Sequence, residues 1–112
     1  MSNLLYQKSV EELYHILGEQ VIKSIPEQWL EAWIEAEMED DNGILTGAYI
    51  PKNNPEKINY FDPGYRAFLA FDELRSRFES EIGQPWSKAV FRLNSKNQFS
   101  LDFEYDDSRQ ES

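Results

Sequence analysis

The segment Glu27–Asp41 constrains the fold of this chain most, because its residues alternate with a period of two. Between Leu30 and Glu39, apolar side chains alternate with acidic ones, and Trp33 breaks the pattern. This period is typical of a β-strand with one buried face and one solvated face. Good helix formers are also frequent in the segment, but a helix would place Glu37 within its apolar arc. The alternation therefore favours a strand whose apolar side joins the core.

Turn signals and further alternation predict the other strands. Asn42-Gly43 is the dipeptide preferred in two-residue type I′ hairpins, and Ile44–Ile50 can form the return strand. After a polar loop with two prolines, Ile58–Phe61 predicts a short edge strand. A second hairpin is predicted near the C-terminus, where alternating residues on both sides of Ser95–Asn97 form one apolar face and one charged face.

The first helix is predicted from about Asn3 to Ile25, and Pro26 ends it. Ser9 and Glu12 have the spacing of a capping box, so the regular part of the helix can begin at that point. Apolar residues with helical spacing predict its buried stripe: Tyr6, Val10, Leu13, Leu17, Val21 and Ile25, widened by Leu5, Tyr14, Ile16 and Ile22.

The second helix is predicted to start at Asp62-Pro63, with the aspartate as its cap and the proline in the first helical position. It ends near Ile82, because Gly83 suits the left-handed position after a helix and Pro85 prevents continuation. Its predicted buried residues are Ala67, Phe71, Leu74, Phe78 and Ile82.

These elements predict an α+β fold with the order α-β-β-(β)-α-β-β. Short hairpin connections favour an antiparallel sheet of four to five strands with both helices packed on one face. A chain of 112 residues is expected to form one domain, 1–112, in which residues 106–112 are a frayed acidic tail. Trp29 and Trp86 stand at element starts beside prolines, and both are assigned to the rim of the core.

The net charge of −10 is concentrated in two segments. Glu27–Asp41 holds seven acidic residues and Asp102–Asp107 holds four, and neither segment contains a basic residue. Nucleic acids and anionic membrane surfaces are repelled by such a charge, which favours a cationic protein as the partner. No stretch approaches the roughly 18 apolar residues of a membrane span, and no signal peptide is recognisable. We therefore expect a soluble, cytoplasmic protein that binds neither nucleic acid nor membrane.

Motifs for catalysis, cofactors and metals are absent from the sequence. The chain has no cysteine, and its single histidine, His15, lies off the apolar stripe, where a solvated helix residue is expected. Neither a phosphate-binding glycine loop nor a nucleophile elbow occurs. An EF-hand calcium loop with Gly43 at its sixth position is excluded, because its first and twelfth positions would be Met38 and Tyr49, which are not suitable calcium ligands. We therefore expect no enzyme activity, no cofactor and no metal site.

Five short patterns in order along the chain resemble one known family, the YezG-like immunity proteins, which are antitoxins of bacterial polymorphic toxin systems. The patterns are I-P-E-Q-W at Ile25–Trp29, A-E at Ala36–Glu37, E-L-x-x-x-F at Glu73–Phe78, P-W-S at Pro85–Ser87 and F-x-L-D-F-E-Y-D-D at Phe99–Asp107. The resemblance extends from about Tyr6 to Asp107 and is lost in the loop Pro51–Lys57. It implies an α+β fold and supports a strand for the alternating segment.

The resemblance implies a stoichiometric inhibitor without catalytic activity. Such a protein stays in the producing cell and binds the toxic C-terminal domain of a cognate toxin, often a nuclease. The acidic segments fit this role independently, because carboxylates can occupy a basic cleft where phosphates would bind. An acidic adaptor for another basic cellular protein is the main alternative, and a metal-dependent carboxylate enzyme is a third. The sequence leaves the oligomeric state open.

Charge and alternation predict the residues that contact the partner: Glu31, Trp33, Glu35, Glu37, Glu39, Asp102, Glu104, Asp106 and Asp107. Trp33 would anchor the contact, since tryptophan is enriched among interface hot spots. Alternatively, Trp33 packs under a loop or the second helix, and the acids are only a solvated face. Lys88 and Arg92 across the second hairpin are expected to neutralise the carboxylates of the last strand in part.

Overall fold

The computed structural model describes residues 4–39 and 42–105. Within these ranges the predicted α+β class and the predicted order of elements are confirmed, and the optional third strand is present. The elements are α1 (Val10–Ser24), β1 (Trp29–Met38), β2 (Gly43–Pro51), β3 (Asn59–Phe61), α2 (Tyr65–Ile82), β4 (Lys88–Asn94) and β5 (Phe99–Glu104).

The five strands form one antiparallel sheet in the order β3-β2-β1-β4-β5. The alternating segment is its central strand, β1, which pairs with β2 on one side and β4 on the other. Its apolar residues are buried on the side of the sheet that the helices cover: Ala32, Ile34, Ala36 and Met38. The predicted Ser95–Asn97 turn joins β4 to β5, with Asn97 at a positive φ of 64°. For the segment Glu27–Asp41, the predicted strand is confirmed, and its apolar side is buried from Ala32 to Met38. Leu30 was also predicted to join the core, but it is 38% exposed at the start of the strand.

The core lies between the two helices and the covered face of the sheet. Leu13 and Leu17 of α1 and Phe71 of α2 are fully buried in it. Trp86 is also fully buried, so its assignment to the rim of the core is wrong. The loop after α2 carries the Trp86 ring beneath Phe71 and Phe103, with ring centroids 6.2 and 5.4 Å away. Within the described ranges, its Nε1 atom has no hydrogen-bond partner.

Helix α1 begins at Val10, several residues later than the outer limit of the prediction. The capping box is confirmed: Ser9 Oγ accepts the Glu12 N–H, and the Glu12 carboxylate accepts the Ser9 N–H, at 3.1 and 3.0 Å. Tyr6 is exposed, since it precedes the helix, and its predicted burial is wrong. Ile22 was also predicted to be buried, but it is 54% exposed because it lines an open groove.

Helix α2 begins at Tyr65, two residues after the predicted proline. Its N-cap is Gly64, at a φ of 88° that other residues rarely adopt. The prediction that Asp62 caps the helix and Pro63 takes its first position is therefore wrong: Asp62 lies two residues before the N-cap, and its carboxylate accepts the Gly64 N–H at 2.9 Å. The left-handed Gly83 ends the helix as predicted. Ile82 is exposed rather than buried, because it occupies the last position of the helix.

The turn between β1 and β2 differs from the predicted two-residue hairpin. Gly43 pairs with Met38 as a strand residue, and Glu39 N–H donates to the Asn42 carbonyl at 2.8 Å. The loop therefore comprises residues 39–42, of which 40 and 41 lie outside the described ranges. An added Cβ at Gly43 would collide with the Met38 sulfur and would lie 3.2 Å from both the Glu37 carbonyl oxygen and the Phe68 ring, so close packing explains the glycine.

Candidate functional site

The face of the sheet opposite the helices is open in the part of the chain that the structure describes. Residues directly opposite each other on paired strands project to the same face, so the pairing defines rows of side chains across it. The row through the centre is Tyr60, Ala48, Trp33, Arg92 and Ser100. The charged residues of this face and its central tryptophan form what we call the carboxylate face: Glu31, Trp33, Glu35, Glu37, Lys88, Arg92, Asp102 and Glu104.

The fold brings the two acidic segments of the sequence together on this face. Glu31, Glu35 and Glu37 project from β1, and Asp102 and Glu104 project from β5, with β4 between the two strands. Glu39 follows β1 in the turn and is exposed. The two remaining predicted contact residues, Asp106 and Asp107, lie outside the described residues.

Trp33 stands at the centre of the carboxylate face and is half-buried. Among the described residues, it lies on the face of the sheet opposite the core, so it does not pack under α2. Its neighbours in the sheet account for its partial burial: the Arg92 guanidinium carbon lies 6.0 Å from the ring centroid, on a cation–π approach. Ala48, on the other side, is only 2% exposed although it belongs to the open face, which indicates that the flanking aromatic residues shield it. The indole is therefore held in place but accessible.

The charges of the carboxylate face are not balanced. Five of its residues are acidic and two are basic. Lys88 Nζ lies 3.4 Å from the Glu35 carboxylate, and both side chains are partly exposed, so this ion pair is weak. Arg92 is positioned over Trp33. Among the described residues, neither Lys88 nor Arg92 forms an ion pair with a β5 carboxylate: Lys88 is opposite Glu104 but pairs with Glu35 on β1.

Glu27 opens the acidic segment but serves the fold instead of the carboxylate face. Its carboxylate accepts hydrogen bonds from the Tyr49 hydroxyl and, at 3.3 Å, from the Asn59 side-chain amide. The hydrogen bond to Glu27 raises the pKa of Tyr49, because ionising the phenol would lose the donor and place two negative charges together. Local sequence carries no signal for this contact, since three separate parts of the chain form it.

A second candidate surface lies on the helix side, between α1 and the β4–β5 hairpin. It is an apolar groove with a volume of about 580 Å³, lined by Glu11, Tyr14, His15, Gly18, Glu19, Ile22, Phe91, Leu93, Asn97 and Phe99. His15 is exposed there, as predicted. Sequence reasoning missed this groove, because it assigned Ile22 to the core. The signal that could have indicated it is Gly18, a glycine inside a helix.

Residues 4–39 and 42–105 contain neither a metal site nor a membrane-spanning helix. No group of three or more His, Cys, Asp or Glu side chains there is arranged to hold a metal ion. Neither of the described helices combines the length and apolar character needed to span a membrane.

The sequence of this chain is similar to those of bacterial immunity proteins. The family model described as immunity protein YezG-like matches residues 10–68 and 59–112. Immunity protein YezG of Bacillus spizizenii is 28% identical over 110 residues, covering 86% of this chain and 68% of the relative. Immunity protein YezG of Bacillus subtilis is 26% identical, covering 88% and 74%. Type VII secretion system protein EsaG of Staphylococcus aureus is 21% identical, covering 93% and 72%.

Proposed function

Because this chain belongs to the YezG-like immunity protein family, we propose that it binds and neutralises the toxic C-terminal domain of a cognate toxin, a basic nuclease. The observation that carries the specific form of this proposal is the carboxylate face. Two acidic segments that are far apart in sequence project from one open sheet surface around an accessible tryptophan. The family membership supports the immunity role, and the charge of the face supports a cationic partner.

The proposed inhibition is electrostatic mimicry. A nuclease cleft attracts phosphates with lysine and arginine side chains, and carboxylates fixed on a sheet can occupy the same positions. Glu35 and Glu37 are two residues apart along β1, so the strand spaces them at about 6.5–7 Å, whereas Glu31 lies four residues before Glu35, at about 13 Å. The Glu35–Glu37 spacing is close to the distance between successive phosphates of a nucleic acid strand, and Glu31 adds a third negative charge beyond Trp33.

Trp33 supplies the apolar contact within this charged face. An indole that is already held by sheet neighbours loses little conformational freedom on binding, so its buried area contributes more to affinity. Inhibition of this kind requires no catalysis by the bound chain. We place it in the cytoplasm of the producing cell, where the toxin would otherwise act, with one inhibitor bound per toxic domain.

Co-expression with the toxin encoded immediately upstream tests the proposal. The chain is expected to restore growth of cells that produce the toxic domain and to co-purify with that domain. Nuclease activity measured on the purified domain should fall to background at an equimolar amount of the chain. Absence of both rescue and complex would refute the proposal, and capture of a different basic cellular protein would favour an adaptor role instead.

A further inference from the structure

Gly18 occupies the interior of α1, where glycine costs about 1 kcal/mol of helix stability relative to alanine. Glycine in a helix is often explained by close packing, in which a Cβ would collide with a neighbour. Within the described ranges, no atom outside the local helix backbone lies within 4 Å of the place that a Cβ at Gly18 would occupy. Internal packing therefore does not account for this glycine, which instead leaves free space in the apolar groove.

The walls of the groove are held in place by ring contacts. Phe99 stacks on Phe91 with centroids 5.6 Å apart, and it meets Tyr14 at 5.5 Å. Phe99 nevertheless remains 50% exposed, and Ile22 on the helix side is exposed to a similar extent. Exposed apolar groups that are fixed around a cavity are typical of a preformed binding pocket.

The charges around the groove define the occupant that suits it. The charged residues among its lining are Glu11 and Glu19, eight positions apart on α1 and therefore about 12 Å apart along the helix axis. Among the described residues, neither carboxylate forms an ion pair, whereas Glu12 on the same helix pairs with Lys8 at 3.8 Å. An apolar centre with an unpaired carboxylate toward each end is complementary to an apolar side chain flanked by cations.

We propose that the groove binds a large apolar side chain of a partner segment that carries lysine or arginine on both sides. The apolar side chain lies over Gly18, between Tyr14 and Phe99, and the flanking cations reach Glu11 and Glu19. The groove is on the helix side of the sheet, so it is a second contact surface, separate from the carboxylate face. That the toxic domain naturally carries this segment rests on the proposed function, whereas the groove and its preference for such a segment do not.

A short synthetic peptide tests the groove without any toxin. In extended acetyl-Lys-Ala-Phe-Ala-Lys-amide, both lysines and the phenylalanine point to one side, and the lysines are about 13 Å apart. Titrated into the ¹⁵N-labelled full-length chain, this peptide should shift backbone amide signals of residues 14–22 and 93–99. Replacing the lysines by glutamates, or the phenylalanine by alanine, should weaken binding at least tenfold.

Variants of Gly18 provide the matched control in the protein. Gly18→Leu fills the groove and should weaken peptide binding at least tenfold, and Gly18→Ala should weaken it about threefold while the amide spectrum stays native-like. The proposal would be refuted if both the Gly18→Ala and the Gly18→Leu variant bound the peptide as tightly as the unchanged chain. It would also be refuted if the peptide shifted only the amide signals of Trp33 and its neighbours. Concentration-dependent shifts of the groove amides without peptide would assign the groove to a second copy and also overturn it.

The two proposals fail separately. Peptide binding is measured in the absence of a toxin, so a negative co-expression result leaves it unaffected. Conversely, rescue by the unchanged chain combined with a groove that ignores the peptide would retain the immunity role and remove the second contact surface.

Discussion

Trp33 is the residue whose environment most clearly separates a binding role from a structural one. It projects away from the core on the central strand, and the Arg92 guanidinium and the shielded Ala48 flank it in the sheet. A cation–π contact at an exposed site contributes only about 0.5–1 kcal/mol, so this contact alone gives the indole a small part in the stability of the fold. The proposed role of Trp33 is therefore a contact with the partner, in keeping with the enrichment of tryptophan among interface hot spots.

Replacing Trp33 by alanine is therefore expected to weaken toxin binding by about 2 kcal/mol or more, roughly 30-fold in Kd, with little effect on the fold. Isothermal titration calorimetry with the toxic domain measures the binding, and a thermal melt checks the fold. Tyr65→Ala is the matched control, because Tyr65 is an exposed aromatic residue at the start of α2, where no contact is proposed. Equal affinities of the Trp33 and Tyr65 variants would locate the interface elsewhere.

The carboxylates of β1 can be tested by charge reversal. Glu35→Lys combined with Glu37→Lys should weaken binding about 100-fold at low salt, because like charges then face the cationic partner. The control variant carries Glu79→Lys and Glu81→Lys, at two exposed residues near the end of α2, and has the same net charge. Its affinity should differ from that of the unchanged chain by less than about threefold. Surface plasmon resonance at two salt concentrations distinguishes the pairs. Similar losses for both would mean that total charge, not the carboxylate face, governs binding.

Tyr49 makes the stability of the fold sensitive to alkaline pH. Its pKa is raised above the ordinary value near 10, chiefly by the hydrogen bond to Glu27. A raised pKa means that the folded state holds the proton more tightly than the unfolded state, so the stabilisation is present below pH 10 and is lost as the pH rises through the folded-state value. Tyr49→Phe should flatten the loss of stability above pH 10, measured by urea unfolding from pH 8 to 11.5. An unchanged pH profile would contradict the importance of this hydrogen bond.

At the scale of single elements, β1 joins the core to the proposed site. Because strand side chains alternate, one ten-residue strand delivers Ala32, Ile34 and Ala36 to the core and three glutamates to the open face. A register slip of one residue would exchange the two sets, so burial of the apolar set determines where the carboxylates point. The proposed binding surface is thus positioned by the same free energy that forms the core.

Gly18 lowers the stability of helix α1. Gly18→Ala should raise the stability by about 0.5–1 kcal/mol, a shift of roughly 4 °C in Tm, because alanine has the higher helix propensity and the added methyl group meets open space. Differential scanning calorimetry measures the change. Gly83→Ala is the contrasting variant and should lower Tm, since Gly83 adopts a left-handed φ of 86°. A fall in Tm for Gly18→Ala would show that the position is already filled.

At the scale of the whole molecule, the net charge of −10 should govern how the chain approaches the proposed cationic partner. Association with a basic toxic domain should be electrostatically steered, and the association rate should fall about tenfold or more between 50 and 500 mM salt. Stopped-flow tryptophan fluorescence can follow this rate. The dissociation rate should change far less, because salt screens the long-range attraction more than the close contacts. A salt-independent association rate would argue against a cationic partner.

Part of the fold could be predicted because local patterns report on it directly. The capping box at Ser9, the left-handed Gly83 and the alternation in β1 each follow from the chemistry of neighbouring residues. The errors occurred where burial depends on distant parts of the chain. Trp86 is buried because a loop carries it under α2, and Ile22 is exposed because the hairpin leaves a groove beside it.

The sequence alone determined the elements, their order, the acidic alternating strand and the resemblance to immunity proteins, because periodicity, capping and turn chemistry act over a few residues. The tertiary structure decided which side chains meet. It placed the β1 and β5 carboxylates on one face and left a groove over Gly18. It also brought Tyr49 within hydrogen-bonding distance of Glu27 and Lys88 into an ion pair with Glu35. These contacts join residues that are far apart in the chain, so strand order and helix packing decide them.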